Sequence, residues 1–168
     1  MEKEPEDEVR VMDIRRATEA DAAAICALQQ EIQALHAQGL PQVFRPPDTA
    51  AFSPEHVRSL LGAAGVRLWI AHVGTSPAGY LYAEVARYGE NAQRKAQSYV
   101  YVNHVCVTAA HRRAGIGRGL MEAAYAWARE EKVDAVMLDV WGFNAGAQAF
   151  FAKEGFMPFT LRLSKPVG

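Results

Sequence analysis

Apolar residues recur along the chain with two periods, and the changes from one to the other divide it into elements. A short strand is predicted over residues 11–16. Thr18 with Asp21 three residues later then opens a helix in the manner of a capping box. Ile25, Leu28, Ile32 and Leu35 continue it at helical spacing, and Gly39 and Pro41 end it. Residues 40–53 are proline-rich and poor in apolar positions, which predicts a long loop. Ser53 and Pro54 suit the cap and first turn of a second helix, carried by Val57, Leu60 and Leu61 to a stop at Gly62 or Gly65.

The period then shifts to that of strands. Residues 66–73 and 79–87 are strand-like, and the Gly-Thr-Ser-Pro between them predicts a turn and an antiparallel hairpin. A polar stretch over 87–97 leads to a third strand, 99–107, completing a meander. From about Gly117 the helical period returns with Leu120, Ala124, Trp127 and Ala128. The nearly unbroken apolar run 135–140 predicts a strand buried on both faces, reached by a right-handed crossover. Asn144 precedes a short helix bearing Ala147, Phe150 and Phe151 and ended by Gly155, and a last strand is predicted over 157–163.

Composition narrows this picture. A chain of 168 residues, half of them hydrophobic, makes one ordinary domain. The formal net charge of -1 gives no general basic field, so no nucleic-acid partner is expected. Residues 1–10 are acidic and proline-broken, with nothing to bury, and are expected to be a disordered tail before a domain spanning 11–168. Cys26 and Cys106 are the only cysteines, each in an apolar pattern. With no signal peptide and no apolar run near membrane-spanning length, a reducing cytoplasm and no membrane partner are expected. No metal site is expected, and Cys106 reads as a small buried hydrophobe rather than a nucleophile.

The chemistry concentrates where the third strand meets the long helix. Arg112, Arg113, Ala114, Gly115, Ile116, Gly117, Arg118 and Gly119 form a basic, glycine-rich turn at a helix N-terminus. The first turn of a helix leaves N–H groups without partners at the positive end of the peptide dipoles, so an anion is the natural guest. Glycine lets the backbone come close to a pyrophosphate, and arginine forks suit its oxygens. The nucleotide-binding alternatives fit less well. Asp139 lies 22 residues beyond Gly117, as a dinucleotide site would have it, but the third glycine is one position early. No Lys followed by Ser or Thr comes after Gly119, which excludes a nucleotide-triphosphate loop.

With these elements in place, the sequence resembles the GNAT family of acyl-CoA-dependent N-acetyltransferases. Arg112, Gly115 and Gly117 match that family's pyrophosphate loop, Val105 and Val107 precede it at strand spacing, and the segment 138–156 is similar to its second conserved block. The resemblance implies a single α/β (α+β) domain, with a central mixed, mostly antiparallel sheet of about six to seven strands flanked by about four helices. It implies acetyl-CoA as co-substrate. The pantetheine arm would pair with the backbone of Val105 and Val107, with Cys106 between them, and Arg112 and the amides of residues 113–119 would hold the pyrophosphate. Asn144, Phe150, Phe151 and Lys153 match a second cofactor-contacting segment, with a plain helix cap as the other reading of Asn144.

The implied reaction is direct attack of a neutral amine on the thioester in a ternary complex, with the Val107 N–H or a neighbouring strand amide as the oxyanion donor. Glu84, Tyr101 and His104 are the candidate proton acceptors. Where many relatives have a tyrosine that protonates the leaving thiolate, this chain has Phe151, so Tyr101, Tyr125 or water would serve instead, or the thiolate would leave unaided. Phe151 also motivates the alternative of a non-catalytic acyl-CoA-binding sensor or interaction module on the same fold. The acceptor, a small-molecule amine or a protein or peptide amine, is expected between the loop bearing His36, Phe44 and Arg45 and the region around Tyr88. A homodimer through the last strand or Trp141 is one further reading, with core packing of the tryptophans as the other.

Overall fold

The computed structural model describes residues 12–48 and 52–167, so the expected acidic tail lies outside the described residues. The elements follow the predicted order: β1 Met12–Arg16, α1 Ala22–Gly39, α2 Pro54–Leu61, β2 Val66–Val73, β3 Ser76–Tyr88, β4 Gln97–Val107, α3 Ile116–Glu130, β5 Ala135–Leu138 and α4 Ala145–Lys153. The predicted caps form. Asp21 accepts from the Thr18 amide at 2.7 Å, Ser53 accepts from His56 N–H at 3.2 Å, and Asn144 accepts from Ala147 N–H at 3.0 Å. The β2–β3 hairpin turns at Gly74, whose φ of 61° explains the glycine there.

Among the described residues the sheet has five strands in the order β1-β2-β3-β4-β5, antiparallel except for the parallel β4–β5 pair. One expected strand is missing. Residues 157–163 carry no regular structure, and Met157, Phe159, Leu161 and Leu163 are 74 to 88% exposed. Their alternation marks the face of a strand, but a strand also needs a paired edge, and none of the described residues pairs with them. The run 135–140, expected to be buried on both faces, gives only the four-residue β5 at the sheet's edge, where it is half-buried.

Helices cover both faces. On one, α3 and Phe151 of α4 close over Trp69, Leu81, Ala83, Val100 and Val102. On the other, Ile25 and Leu28 of α1 and Val57 of α2 close over Leu68, Ile70, Tyr80 and Cys106. Ion pairs tie sheet to helix on each side. Arg15 makes two 2.8 Å hydrogen bonds to Asp21, and Arg67 makes two to Glu130 while lying 5.0 Å from the Trp127 ring centre.

A bulge in β4 sets which side chains face which layer. Tyr82 pairs with His104 and Ala83 with Val102, which leaves Asn103 as an extra residue. Val100 and Val102 belong to the α3 side. Without the bulge His104 and Cys106 would follow them there, since strand side chains alternate. Instead Cys106 is buried on the α1 side and His104 meets Tyr80 and Phe52 of that layer, while Val105 and Val107 pack toward α3.

Candidate active site

The β4–β5 pairing stops at Val102 and Leu138, yet β4 runs on to Val107. Its last five residues therefore have β3 on one side and, among the described residues, no strand on the other. The Thr108 N–H donates to Ala78 O at 2.9 Å on the β3 side. By the alternation of a strand, Cys106 turns its backbone groups the same way, and Val105 and Val107 turn theirs into the opening. Arg112 Nε reaches Val107 O at 3.3 Å, which leaves the Val107 N–H and both Val105 groups to a guest. Opposite them Gly79 is required, because a Cβ there would collide with the Cys106 carbonyl.

The opening leads to the start of α3. Gly115 caps the helix in the left-handed region at φ 81°, with no side-chain cap, and Arg113 is held at φ 70°. A non-glycine residue there costs about 1 kcal/mol or more, a strain typical of functional loops. Gly119 N–H bonds to Gly115 O at 3.0 Å, so the uncapped amides are those of Ile116, Gly117 and Arg118. Gly117 sits on Phe150, whose ring tip would be 3.4 Å from an added Cβ. Gly119 has a packing part: its missing Cβ leaves room for Ile14 of β1. Arg112, Arg113 and Arg118 are all exposed, and only Arg118 approaches a carboxylate, Glu154 at 4.0 Å, among the described residues. An anion bound here meets free amides, a helix dipole and three guanidinium groups, so the residues fit a pyrophosphate.

Beside the loop a cleft of about 520 Å³ runs between α1 and the loop that follows it, lined by Glu31, Leu35, Gln38, Pro46, Pro47 and Arg112. Glu31 accepts from the Ala109 N–H at 3.3 Å and so ties α1 to the turn leading into the loop. Neither Glu31 nor Asn103 stands out in the sequence. The Nδ2 of Asn103 is buried without a hydrogen-bond partner among the described residues, at the bulge where the opening begins, a donor that a ligand or water would satisfy. A lone polar residue in an alternating strand gives no signal of a bulge.

The three candidate proton acceptors share the α1–α2 side of the sheet. Glu84 pairs with Tyr101 across β3 and β4, and His104 follows beyond the bulge. His104 Nδ1 lies 2.9 Å from the Tyr80 hydroxyl, and the rings of Phe52 and Tyr82 are each 5.5 Å away. Burial pushes its pKa down to about 4, helped by His36 and His56, so at neutral pH it is an uncharged imidazole. Burial and a hydrogen bond to Asp139 push Tyr101 up to about 12. Cys106 is pushed up to about 12 by burial and donates to Leu28 O at 3.5 Å, which makes it an inert thiol.

The remaining predicted residues divide. His36 and Phe44 meet at 4.8 Å, and Trp141 and Phe143 close on them at 4.9 to 6.3 Å, forming an aromatic wall between the end of α1 and the β5–α4 turn. Arg45 offers its carbonyl to Gln33, and Tyr88 stacks on Tyr99 at 5.8 Å further along the sheet. Phe151 is in the core, Lys153 is exposed at the end of α4, and Asn144 is engaged as the helix cap.

An opened strand pair above a glycine-rich helix start leaves free backbone groups that would suit an extended, phosphate-bearing molecule. The sequence profile of the Acetyltransferase (GNAT) family matches residues 32–156, and the chain belongs to that family. Among solved structures, a mutant of the BH1408 protein from Bacillus halodurans is similar at TM-score 0.87 and 23% identity, over 92% of this chain and 99% of that one. The aminoglycoside acetyltransferase meta-AAC0020 from an uncultured soil metagenomic sample, in complex with sisomicin, is similar at TM-score 0.63 and 19% identity, over 94% and 97%. AAC(6')-Iy in complex with the bisubstrate analog CoA-S-monomethyl-acetylneamine is similar at 0.69 and 18%, over 94% and 99%. No curated protein matches the sequence. Among the described residues no helix is long and apolar enough to cross a membrane.

Proposed function

We propose that the protein transfers an acetyl group from acetyl-CoA to a primary amine, with both substrates bound together. The observation that carries this reading is the opening between β4 and β5, which runs from the Asn103 bulge to the uncapped amides of residues 116–118. The pyrophosphate lies on those amides and on the arginines, and the pantetheine arm pairs with Val105 and Val107. The thioester then reaches the bulge.

The amine nitrogen attacks the thioester carbon as the carbonyl π electrons move onto oxygen, which accepts a hydrogen bond from the Val107 N–H. Collapse of the tetrahedral intermediate breaks the C–S bond. The product is an amide, the amine's proton is lost, and CoA leaves as thiolate and takes up a proton. Glu84 is assigned the amine proton, through water. His104, neutral and tied to Tyr80, orients the acceptor rather than carrying charge. With Phe151 in the core, the thiolate is protonated by water or leaves unaided.

A small-molecule amine is the favoured acceptor, in line with the aminoglycoside acetyltransferases among the structural neighbours. The position of Phe151 favours a second reading, an acyl-CoA sensor without turnover. Calorimetric titration with acetyl-CoA, with NAD as control, followed by thiol release over a panel of amines, separates them. Binding with release supports the transferase, binding without release for any amine favours the sensor, and no binding overturns both.

A further inference from the structure

Tyr80 lies in β3 with no exposed surface. Burial holds its phenol well above the ordinary value, so it keeps its proton. A buried O–H needs an acceptor. Among the described residues the one it meets is Nδ1 of His104, at 2.9 Å. The reverse arrangement, with the ring donating to the phenol oxygen, would leave the phenol proton buried without a partner. The bond therefore fixes the imidazole with Nδ1 as acceptor and the ring proton on Nε2.

That tautomer leaves a donor on the other edge of the ring. His104 is partly exposed, and because Nδ1 faces a fully buried hydroxyl, the exposed edge is the one bearing Nε2. Nε2 makes no hydrogen bond among the described residues. Next to it in the chain, Nδ2 of Asn103 is a second donor without a partner among them. Two unanswered donors suit an oxygen, which has two lone pairs to offer. They do not suit a second amine, which brings donors of its own. Glu84, on the same face of the sheet, disfavours a carboxylate by like-charge repulsion.

We propose that the acceptor is an amino alcohol, an amine whose neighbouring carbon bears a hydroxyl, and that His104, set by Tyr80, selects it by donating from Nε2 to that hydroxyl oxygen. The proposal rests on the transferase reading above and names its substrate class. His104 is then a positioning residue: it holds the amine against the thioester and takes no proton itself. Tyr80 acts only through the tautomer of His104. An amine without the oxygen leaves the Nε2 donor unanswered inside a closed site, which is how a hydrogen-bonding pocket rejects an analogue that lacks the matching group.

The test joins proton–nitrogen correlation spectra of the histidine rings, taken on the full chain at neutral pH, with acetyl transfer to ethanolamine, propylamine and ethylenediamine, rates being compared per unit of free amine. His104 is expected as the Nε2–H tautomer. The kcat/KM for ethanolamine should exceed that for either of the others by about 10- to 100-fold. His104→Gln keeps an N–H near the place of Nε2 and should keep much of that preference, whereas His104→Leu should lose it. Tyr80→Phe frees the ring, and should bring in the Nδ1–H tautomer and weaken the preference together. An Nδ1–H tautomer in the wild type, turnover without the preference, or a preference that survives His104→Leu would each overturn the proposal and leave the transferase standing. No turnover with any amine of the wider panel, with acetyl-CoA bound, would overturn both.

Discussion

Substituting Gly117 by aspartate separates the fold from the phosphate site. Gly117 is the second residue of α3 and its amide is one of three left free by the Gly115 cap. An added Cβ would meet the Phe150 ring tip at 3.4 Å and Val107 Cγ2 at 3.7 Å, contacts that a ring edge absorbs with a small shift. Aspartate in a first helical turn gains about 0.3–1 kcal/mol from the dipole, and any residue replacing glycine in a helix gains some backbone entropy. The variant should therefore unfold at the same denaturant concentration as wild type or a higher one. The anion site responds in the opposite direction. A carboxylate about 5 Å from a phosphate charge costs about 3 kcal/mol at an effective dielectric near 20, and about half of that once salt screens the exposed loop. Acetyl-CoA affinity should fall roughly 10- to 100-fold by calorimetry. Gly117→Ala carries the bulk without the charge and should lose far less affinity while gaining up to about 1 kcal/mol of stability. An aspartate variant that binds acetyl-CoA within threefold of wild type would refute the assignment of the loop.

Three other perturbations probe the surroundings of the site. The Arg15 hydrogen bonds hold the carboxyl of Asp21 well below the usual carboxylate range. The stability this gives is present above the unfolded pKa of about 3.9 and is lost as pH falls below it. Asp21→Asn should cost about 2 kcal/mol at pH 7, less than a fully buried pair because Arg15 is partly exposed, and urea titrations at pH 7 and pH 3 should show the gap closing in acid. His104, with its pKa lowered to about 4 by burial, contributes stability that is complete above the unfolded value of about 6.5 and is lost progressively as pH falls toward 4. His104→Asn should flatten that part of the pH–stability curve, and a wild-type curve already flat there would contradict the burial. Gly79→Ala places a Cβ against the Cys106 carbonyl, backbone on backbone, and should cost about 1–3 kcal/mol in urea unfolding.

Local features were legible in the sequence, and features that depend on pairing were not. The Thr18–Asp21 box, the Ser53–Pro54 start and the Asn144 cap each need only neighbours within four residues, and all form as read. The glycine-rich loop was legible for the same reason, although Gly119 proves to make room for Ile14, a residue about a hundred positions earlier that no local pattern connects to it. The strand expected at 157–163 shows the limit. Its alternation is real, but whether a strand forms depends on an edge to pair with, and an alternating pattern says nothing about where that edge is. The run 135–140 misled in a related way, since an apolar stretch looks the same whether it lies inside a sheet or at the edge.

The Asn103 bulge has the largest consequence for function. A regular β4 would turn the side chain of His104 toward α3 with Val100 and Val102, away from Glu84 and Tyr101 on the α1–α2 side. One extra residue moves His104 and Cys106 to the side of Glu84 and Tyr101 and turns Val105 and Val107 under α3. The backbone groups that face the opening belong to Val105 and Val107, so in the proposed reaction the thioester would lie in the plane of the sheet and the acceptor would approach from the α1–α2 face. On that reading the two substrates would reach the strand by perpendicular routes that meet at residues 103–105. A bulge does this more securely than a side-chain substitution, because the face each later residue presents follows from a single count along the strand.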